Sequence, residues 1–419
     1  MQGSPSQPGP SQPSPSPHAL AFILITILLD TIGLGIVIPV TPQLLLELSG
    51  NSGPGGLSEA ATWGGWLGGG YALMQFIFAP IIGNLSDRFG RRPVLLLSLL
   101  AFAIDYAIMG FATSMWMLFV GRCLAGAAGG SYIAANAYIA DISTPDERAK
   151  RFGLVGAAFG VGFILGPVVG GLLGEFGSRV PFYAAAIVAA GNLLYGLLVV
   201  PESLLPENRR AFSLRRANPV GAVLQVRRYP LVFALLGSVL LYQLAHDANP
   251  STFNYFVIAQ FNWTPREVGA SIGLIGLLIA IVQGGLIGVV LPRLGERRAA
   301  MFGLGCMAIG FTGYAFSTVP WMLFASMLPF ALCGFAMPAM RSMMSRAVPA
   351  DAQGELQGAT ASMSGITMIV APLLMTQLFA WATTPGNELH FPGAPFLLAG
   401  ALALLSLLWL TRTLAKHRA

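Results

Sequence analysis

Charge is scarce in this chain, whose 419 residues include only 23 Lys or Arg and 17 Asp or Glu, 10% in all. Soluble domains carry about 25% charged residues, so the composition excludes an ordinary soluble domain. A hydrophobic content of 55% and a mean hydropathy of +0.70 indicate a membrane protein instead.

Other absences narrow the function. Neither of the only two lysines, Lys150 and Lys416, follows a glycine, so the chain has no phosphate-binding GK motif and does not hydrolyse ATP. HExxH is missing, and the four histidines are scattered, which argues against a metal site. Three cysteines, an odd number, all fall in apolar segments and are interpreted as buried small residues. We therefore expect no enzyme activity, no cofactor and no metal.

Long apolar runs are abundant. About 20 residues at about 1.5 Å each cross a bilayer core, and runs of that length favour helices over barrel strands. Twelve segments qualify, near 19–46, 60–83, 93–111, 114–140, 152–174, 180–200, 230–258, 268–290, 299–316, 320–340, 356–380 and 393–412. The sequence predicts an all-α membrane protein with twelve spans.

Arginines set the predicted orientation. Apart from Arg122, Arg179 and Arg266, all basic residues lie in the even-numbered loops or the C-terminal tail. Basic loops stay on the cytoplasmic side, so both termini are predicted to be cytoplasmic in an integral plasma (inner) membrane protein. The net charge of +6 is then a topology signal, and no nucleic-acid partner is expected.

The chain also repeats itself at an offset of 205 residues. Gly83 maps to Gly288 and Gly90 to Gly295, and WMLF at Trp116 recurs at Trp321. An offset containing an even number of spans gives two bundles of equal orientation, which can rock about a central cavity. The predicted organisation is a disordered cytoplasmic tail (1–17), a six-helix bundle (18–200), a cytoplasmic linker (201–228) and a second six-helix bundle (229–419).

A charged loop, GNLSDRFGRR, separates the second and third spans. We expect Gly83 and Gly90 to give its backbone freedom, and Asp87, Arg88 and Arg91 to hold neighbouring helix ends. Asp141 ends the fourth span on the same side and is predicted to pair with an arginine of the loop when that side is shut. The alternative is a solvated loop that only fixes topology.

Few charges lie inside the spans, and each costs at least about 2.5 kcal/mol there unless it has a partner, water or a proton. Asp30 has no obvious neighbour in the sequence. Asp105 and Arg122 lie at similar depth on consecutive helices and are expected to pair. A carboxylate beside a guanidinium stays ionised, and it takes up a proton when the pair opens away from water. This pattern favours proton coupling, with a static ion pair as the alternative.

Polar side chains within the spans are candidates for a substrate cavity or for helix packing. His246 and Asp247 interrupt span seven, which predicts either an unwound cavity-lining segment or a shorter span. The candidates are Tyr71, Gln75, Asn136, Tyr138, Gln243, His246, Asp247 and Gln283.

Span five carries glycines at four-residue spacing, a pattern that permits close helix contact, and a proline that bends the helix. The residues of this motif are Gly162, Gly166, Pro167, Gly170 and Gly171.

Three of these stretches resemble motifs of the major facilitator superfamily: GNLSDRFGRRP its loop motif, VGRCLAG its span-four arginine motif, and GFILGPVVGG its antiporter motif. LLDTIGLGIVIPVTP and YALMQFIFAPIIG are similar to the tetracycline/proton antiporters. The resemblance implies proton-coupled efflux with Asp30, Asp105 and Arg122 as coupling residues. It also implies that Asp87, Arg91 and Asp141 govern a cytoplasmic gate.

The second half departs from the tetracycline pumps. Ile279 and Met307 stand where those proteins carry a histidine and an aspartate, although Gln283 matches. A tetracycline–magnesium chelate is therefore a doubtful cargo. We expect export of a small hydrophobic or amphiphilic molecule in exchange for protons by a monomer in the lipid bilayer. The alternatives are uptake by proton symport and a non-transporting receptor.

Overall fold

The computed structural model describes residues 17–51, 53, 55–212 and 226–416, and these fold almost entirely into helices. Eleven helices in this part of the chain are long and apolar enough to cross a membrane. The longest, Pro265–Ala315, is broken at Gly295, where φ is +73° and ψ is 156°. Its two arms are separate spans, which gives the twelve that the sequence predicts. The predicted tail lies almost wholly outside the described residues, as does the linker between 213 and 225.

The observed bounds lie close to the predicted ones. Spans one to six are Leu20–Val37, Gly56–Phe89, Arg91–Phe111, Met115–Asp141, Asp146–Gly174 and Val180–Val199. Spans seven to twelve are Pro230–Phe261, 265–294, 296–315, Pro320–Arg346, Gln353–Thr383 and Ala394–Lys416.

Three spans are built from paired helical segments, and one of the breaks lies beside the candidate site. In span ten the segments are Pro320–Leu332 and Ala336–Arg346. Span four consists of Met115–Ala128 and Ser131–Asp141, because Gly129 and Gly130 depart from helical geometry between them. Span seven consists of Pro230–His246 and Ala248–Phe261, joined by a single turn residue, Asp247.

The spans form two six-helix bundles. In the first bundle, span one packs on spans five and six, span three on span six, and span two on span four. In the second bundle, span nine packs on spans ten and twelve, and span seven on spans eleven and twelve. The bundles meet mainly along two seams, span two against span eleven and span five against span eight.

The seam between spans five and eight is closed at one end only. A Cβ at Gly171 would lie 2.5 Å from the Pro265 carbonyl oxygen, and one at Gly276 would lie 2.9 Å from the Ile164 side chain. Farther along the same faces, no described heavy atom lies within 4 Å of the Cβ position of Gly160 or Gly284. The two helices therefore diverge towards the ends that carry Arg151 and Arg293. We call this end the basic face and the other the opposite face.

Spans two and eleven diverge in the same direction. At the opposite face, the Ser58 and Thr383 hydroxyls lie 2.8 Å apart, and a Cβ at Gly68 would lie 3.3 Å from Pro372. At the basic face, Gly83 and Gly354 have no described heavy atom within 4 Å of their Cβ positions. The structure is therefore closed between the bundles at the opposite face and open at the basic face.

Candidate functional site

An ion pair joins spans three and four inside the bilayer region. An Nη2 hydrogen of Arg122 is donated to Asp105 Oδ2, and the side chains are only 13% and 2% exposed. This is the contact that the equal depth of the two residues predicts.

Aromatic rings flank the guanidinium of this pair. The Arg122 Cζ lies 5.6 Å from the centre of the Tyr71 ring and 6.0 Å from that of Tyr106. Both distances allow a cation–π attraction. Among the described residues, Asp105 Oδ1 and Arg122 Nε have no hydrogen-bond partner. One hydrogen bond and contacts with two aromatic rings therefore hold the pair. Asp105 Oδ1 and Arg122 Nε remain able to form further hydrogen bonds.

Asp30 has a partner that sequence reasoning missed. The Ser131 hydroxyl donates to Asp30 Oδ2 at 2.7 Å. Ser131 is the first residue after the break at Gly129 and Gly130, which restarts span four beside span one. The double glycine ahead of a serine was the available signal.

A cavity of about 310 Å³ lies between the bundles, bordered by spans two, seven and eleven and by the two short helices that follow span one, Ile38–Val40 and Thr41–Ser49. Of the candidate cavity residues, Tyr71 and Asp247 line it. Its wall also contains Pro42, Asn254, Tyr255 and Met368, which the sequence did not single out as candidates. Tyr71 therefore borders the cavity and also contacts Arg122.

Two cavity candidates were wrong, because their polar atoms serve helix packing. Tyr138 is 1% exposed and donates to the Pro201 carbonyl at 3.1 Å. The Gln243 amide donates to Ser364 Oγ at 2.8 Å and accepts from Thr367 Oγ1 at 3.2 Å, joining spans seven and eleven.

The remaining candidates lie outside the lining of this cavity. Gln75 donates to the Gly129 carbonyl at 3.4 Å, and Asn136 donates to the Tyr132 carbonyl of its own helix at 2.8 Å. Gln283 lies on an exposed π-helical turn, Val282–Leu286. His246 stacks between Tyr242 and Phe330, with ring centres 5.8 and 6.2 Å away.

Span seven is neither unwound nor shortened. Asp247 keeps near-helical angles, φ −71° and ψ −8°, and the span continues to Phe261. The bend turns Asp247 towards the cavity and leaves His246 in the aromatic stack.

GASIG, Gly269–Gly273, has the spacing of a GxSxG nucleophile motif, which the sequence analysis overlooked. Its serine is 2% exposed, and its hydroxyl donates to the Val268 carbonyl of the same helix at 2.7 Å. The string lies inside a membrane span and lacks the strand-to-helix turn of a hydrolase nucleophile.

The charged loop is shorter than the sequence indicates. Helix continues to Phe89 and restarts at Arg91, so Gly90 alone makes the turn, with φ +109°. Only glycine adopts such angles readily. The role predicted for Gly83 was wrong, because this residue lies within the helix.

Arg91 links the ends of spans two, three and four. Its guanidinium donates to Asp87 Oδ1 at 2.6 Å and to Asp141 Oδ2 at 3.0 Å. We expected this pairing when the basic side is shut, but it is present while the basic face is open. The reason is that all three residues belong to the first bundle. Arg88 is exposed, and its guanidinium packs over the Phe89 ring at 5.1 Å.

Glu202, just after span six, was also missed. It accepts from the backbone N–H of Arg91 at 2.8 Å and of Arg92 at 3.3 Å. A carboxylate at these free N–H groups caps the start of span three and complements its dipole.

The second repeat carries the same ion pair with its charges exchanged. Glu296 and Arg346 stand 205 residues after Arg91 and Asp141, and Arg346 Nη2 lies 2.9 Å from Glu296 Oε1. Pro292 replaces Asp87, so the second network has lost one carboxylate.

The glycine motif of span five packs on two helices. Cβ atoms at Gly162, Gly166 and Gly170 would lie 2.7 Å or less from span-one atoms, whereas Gly171 faces span eight. The Pro167 ring packs beside Gly35 of span one, and its carbonyl oxygen faces Gly269 of span eight. The predicted close contact is present.

Comparison with known proteins places these features in a wider group. The family model described as Major Facilitator Superfamily matches residues 23–286 and 236–419. The tetracycline resistance protein, class C, of Escherichia coli is 41% identical over 89% of this chain and 92% of its own length. Multidrug resistance protein 2 of Bacillus subtilis is 28% identical over 92% of each chain.

Solved structures share the fold. The crystal structure of the nucleoside transporter NupG matches with a TM-score of 0.71 at 14% identity, over 94% of this chain and 99% of that one.

Proposed function

This chain belongs to the Major Facilitator Superfamily, and on that premise we propose that it exports a small hydrophobic or amphiphilic molecule in exchange for protons. The relatives' names point to drug resistance, with tetracycline in one case and several drugs in another. Proton-coupled drug efflux is the activity that this kinship supports. We assign the chain no enzyme activity.

One observation carries the coupling mechanism: two carboxyl groups and one guanidinium lie within the spans, and Tyr71 of the cavity wall contacts that guanidinium. With Asp30 and Asp105 ionised, Arg122 balances only one of them. The second negative charge is costly at this depth, so a proton is the natural partner. Tyr71 connects these charged residues to the cavity wall. A cargo in the cavity and a proton on a carboxyl group would therefore affect the same set of side chains.

In our proposal the basic face is the cytoplasmic face, because arginines concentrate there. The structure then corresponds to the state that receives cargo from the cytoplasm. Rocking of the bundles would close that opening and expose the cavity on the other side. One chain supplies all of these groups, which supports a monomer as the working unit.

Export against a gradient is energetically accessible. One charge crossing the membrane is worth about 2.3 kcal/mol per 100 mV. Exchange of one proton for an uncharged cargo at that potential sustains a cargo ratio of about fifty, since about 1.4 kcal/mol corresponds to a factor of ten. Exchange of one proton for a singly charged cation moves no net charge, so the pH gradient alone would then drive export.

The test uses purified full-length protein in liposomes, with tetracycline and ethidium as probes and an imposed gradient that is acidic inside. We expect accumulation of at least one probe and alkalinisation of the lumen. Asp30→Asn should abolish both, and Asp146→Asn, which removes an equal charge at the basic face, should leave both intact. Lumen acidification on probe entry would indicate symport and contradict the proposal, as would full activity of Asp30→Asn.

A further inference from the structure

The wall of the central cavity carries a single charge. Of the described residues that line it, only Asp247 has a charged side chain, and that side chain is 22% exposed. The rest of the wall is apolar or uncharged, with prolines, Met368 and the tyrosines Tyr71 and Tyr255. A molecule in this cavity therefore meets one negative group and two tyrosine side chains.

The Asp247 carboxylate is only weakly compensated by the protein. Its one ionic neighbour among the described residues is His246, whose Nδ1 lies 3.7 Å from Asp247 Oδ1. That separation exceeds a hydrogen bond, and the imidazole is stacked between Tyr242 and Phe330. The carboxylate is therefore available to a partner that enters the cavity.

The surroundings favour a particular kind of partner. A partly buried carboxylate binds a cationic donor strongly, because the pair is less screened than in water. The tyrosine rings of the wall offer apolar surface to the body of such a molecule. At about 310 Å³, the cavity accommodates a small drug-like body.

We propose that Asp247 makes the cavity selective for amphiphilic organic cations, with the cargo ammonium group at Asp247 and its apolar body between Tyr71, Tyr255 and Met368. This inference rests on the proposed function only in taking the cavity as the cargo site. It names the charge of the cargo, which kinship with drug exporters leaves open.

The test compares three ligands that share an aromatic body and differ in charge: naphthylmethylamine (cation), naphthylmethanol (neutral) and naphthoic acid (anion). Binding to the purified full-length protein in detergent at pH 7 is measured by calorimetry. We expect the amine to bind at least tenfold more tightly than the alcohol, and the acid to bind more weakly than both.

Variants locate the preference. Asp247→Asn should remove the tenfold advantage of the amine, and Asp247→Glu should keep most of it. Asp146→Asn, a control outside the cavity, should behave as the unmodified protein. Equal binding of amine and alcohol, or an unchanged preference in Asp247→Asn, would overturn the inference.

The binding test needs no gradient, so it separates this inference from the proposed function. Cation selectivity in a protein that moves no probe would leave the inference standing and refute export. Proton-driven uptake without any charge preference would support export and overturn the inference about cargo charge.

Discussion

Glu296 pairs with Arg346 at the positions where the first repeat pairs Arg91 with Asp141, with the charges exchanged. The two pairs occupy equivalent positions in the two repeats. The repeats therefore share an ion pair at this place, although the cation is on a different helix in each. The pairs differ in exposure: Arg346 is 77% exposed, whereas Arg91 is 11% exposed.

That difference predicts unequal stability effects. Asp141→Asn should lower the free energy of unfolding by about 1–3 kcal/mol, because it weakens a shielded contact of Arg91. Glu296→Gln should cost about 0–1 kcal/mol, because an exposed arginine regains water. Thermal unfolding in detergent compares the two. A larger loss of stability in Glu296→Gln would show that the exposure of the arginine does not determine how much each ion pair stabilises the protein.

A second prediction concerns the one-residue turn between spans two and three. Gly90→Ala should destabilise the protein by about 1–2 kcal/mol, since its φ of +109° is unfavourable for alanine. The added methyl group would also collide with the Glu202 carboxylate. Gly83→Ala is the control, because that glycine lies in a helix with open space beside it. Thermal unfolding should show a loss only for Gly90→Ala, and equal effects would contradict this account of the turn.

A third prediction concerns the opening at the basic face. Gly160→Leu should fold normally, because no described heavy atom lies within 4 Å of the Cβ position. It should slow transport at least tenfold, because leucine occupies space that must close when the bundles rock. Gly191→Leu, at another open position on span six, should transport normally. Unimpaired transport by Gly160→Leu would argue against closure along this seam.

A fourth prediction concerns the closed end. Ser58 and Thr383 approach within 2.8 Å across the bundles, so Ser58→Cys combined with Thr383→Cys should form a disulfide under oxidation. The bond should stop transport, and a reducing agent should restore it. Each single substitution under the same oxidant serves as the control. Full transport with the bond formed would mean that this end need not open.

The site was predicted best from the sequence where the depth of two residues along their helices determines whether they can pair. Asp105 and Arg122 were paired by counting residues from the helix ends, and the structure contains that contact. The Ser131 partner of Asp30 was not predictable in this way, because it depends on how the break at Gly129 re-aims span four.

The errors share a physical cause. A polar residue in an apolar helix can face a cavity or a neighbouring helix, and composition does not distinguish the two. Tyr138 and Gln243 face neighbours. The state in which Arg91 meets Asp141 was also misjudged, since a contact within one bundle survives whatever the bundles do.

Tyr71 forms part of the cavity wall and packs against the Arg122 guanidinium. A bulky cargo that pushes this ring aside changes the local electrostatic field at Arg122, and with it the balance that holds Asp105 charged. By thermodynamic reciprocity, protonation must then alter affinity for the cargo by the same factor. Cargo size and working acidity are therefore linked traits, so selection for a larger drug would also shift the pH range over which the pump operates.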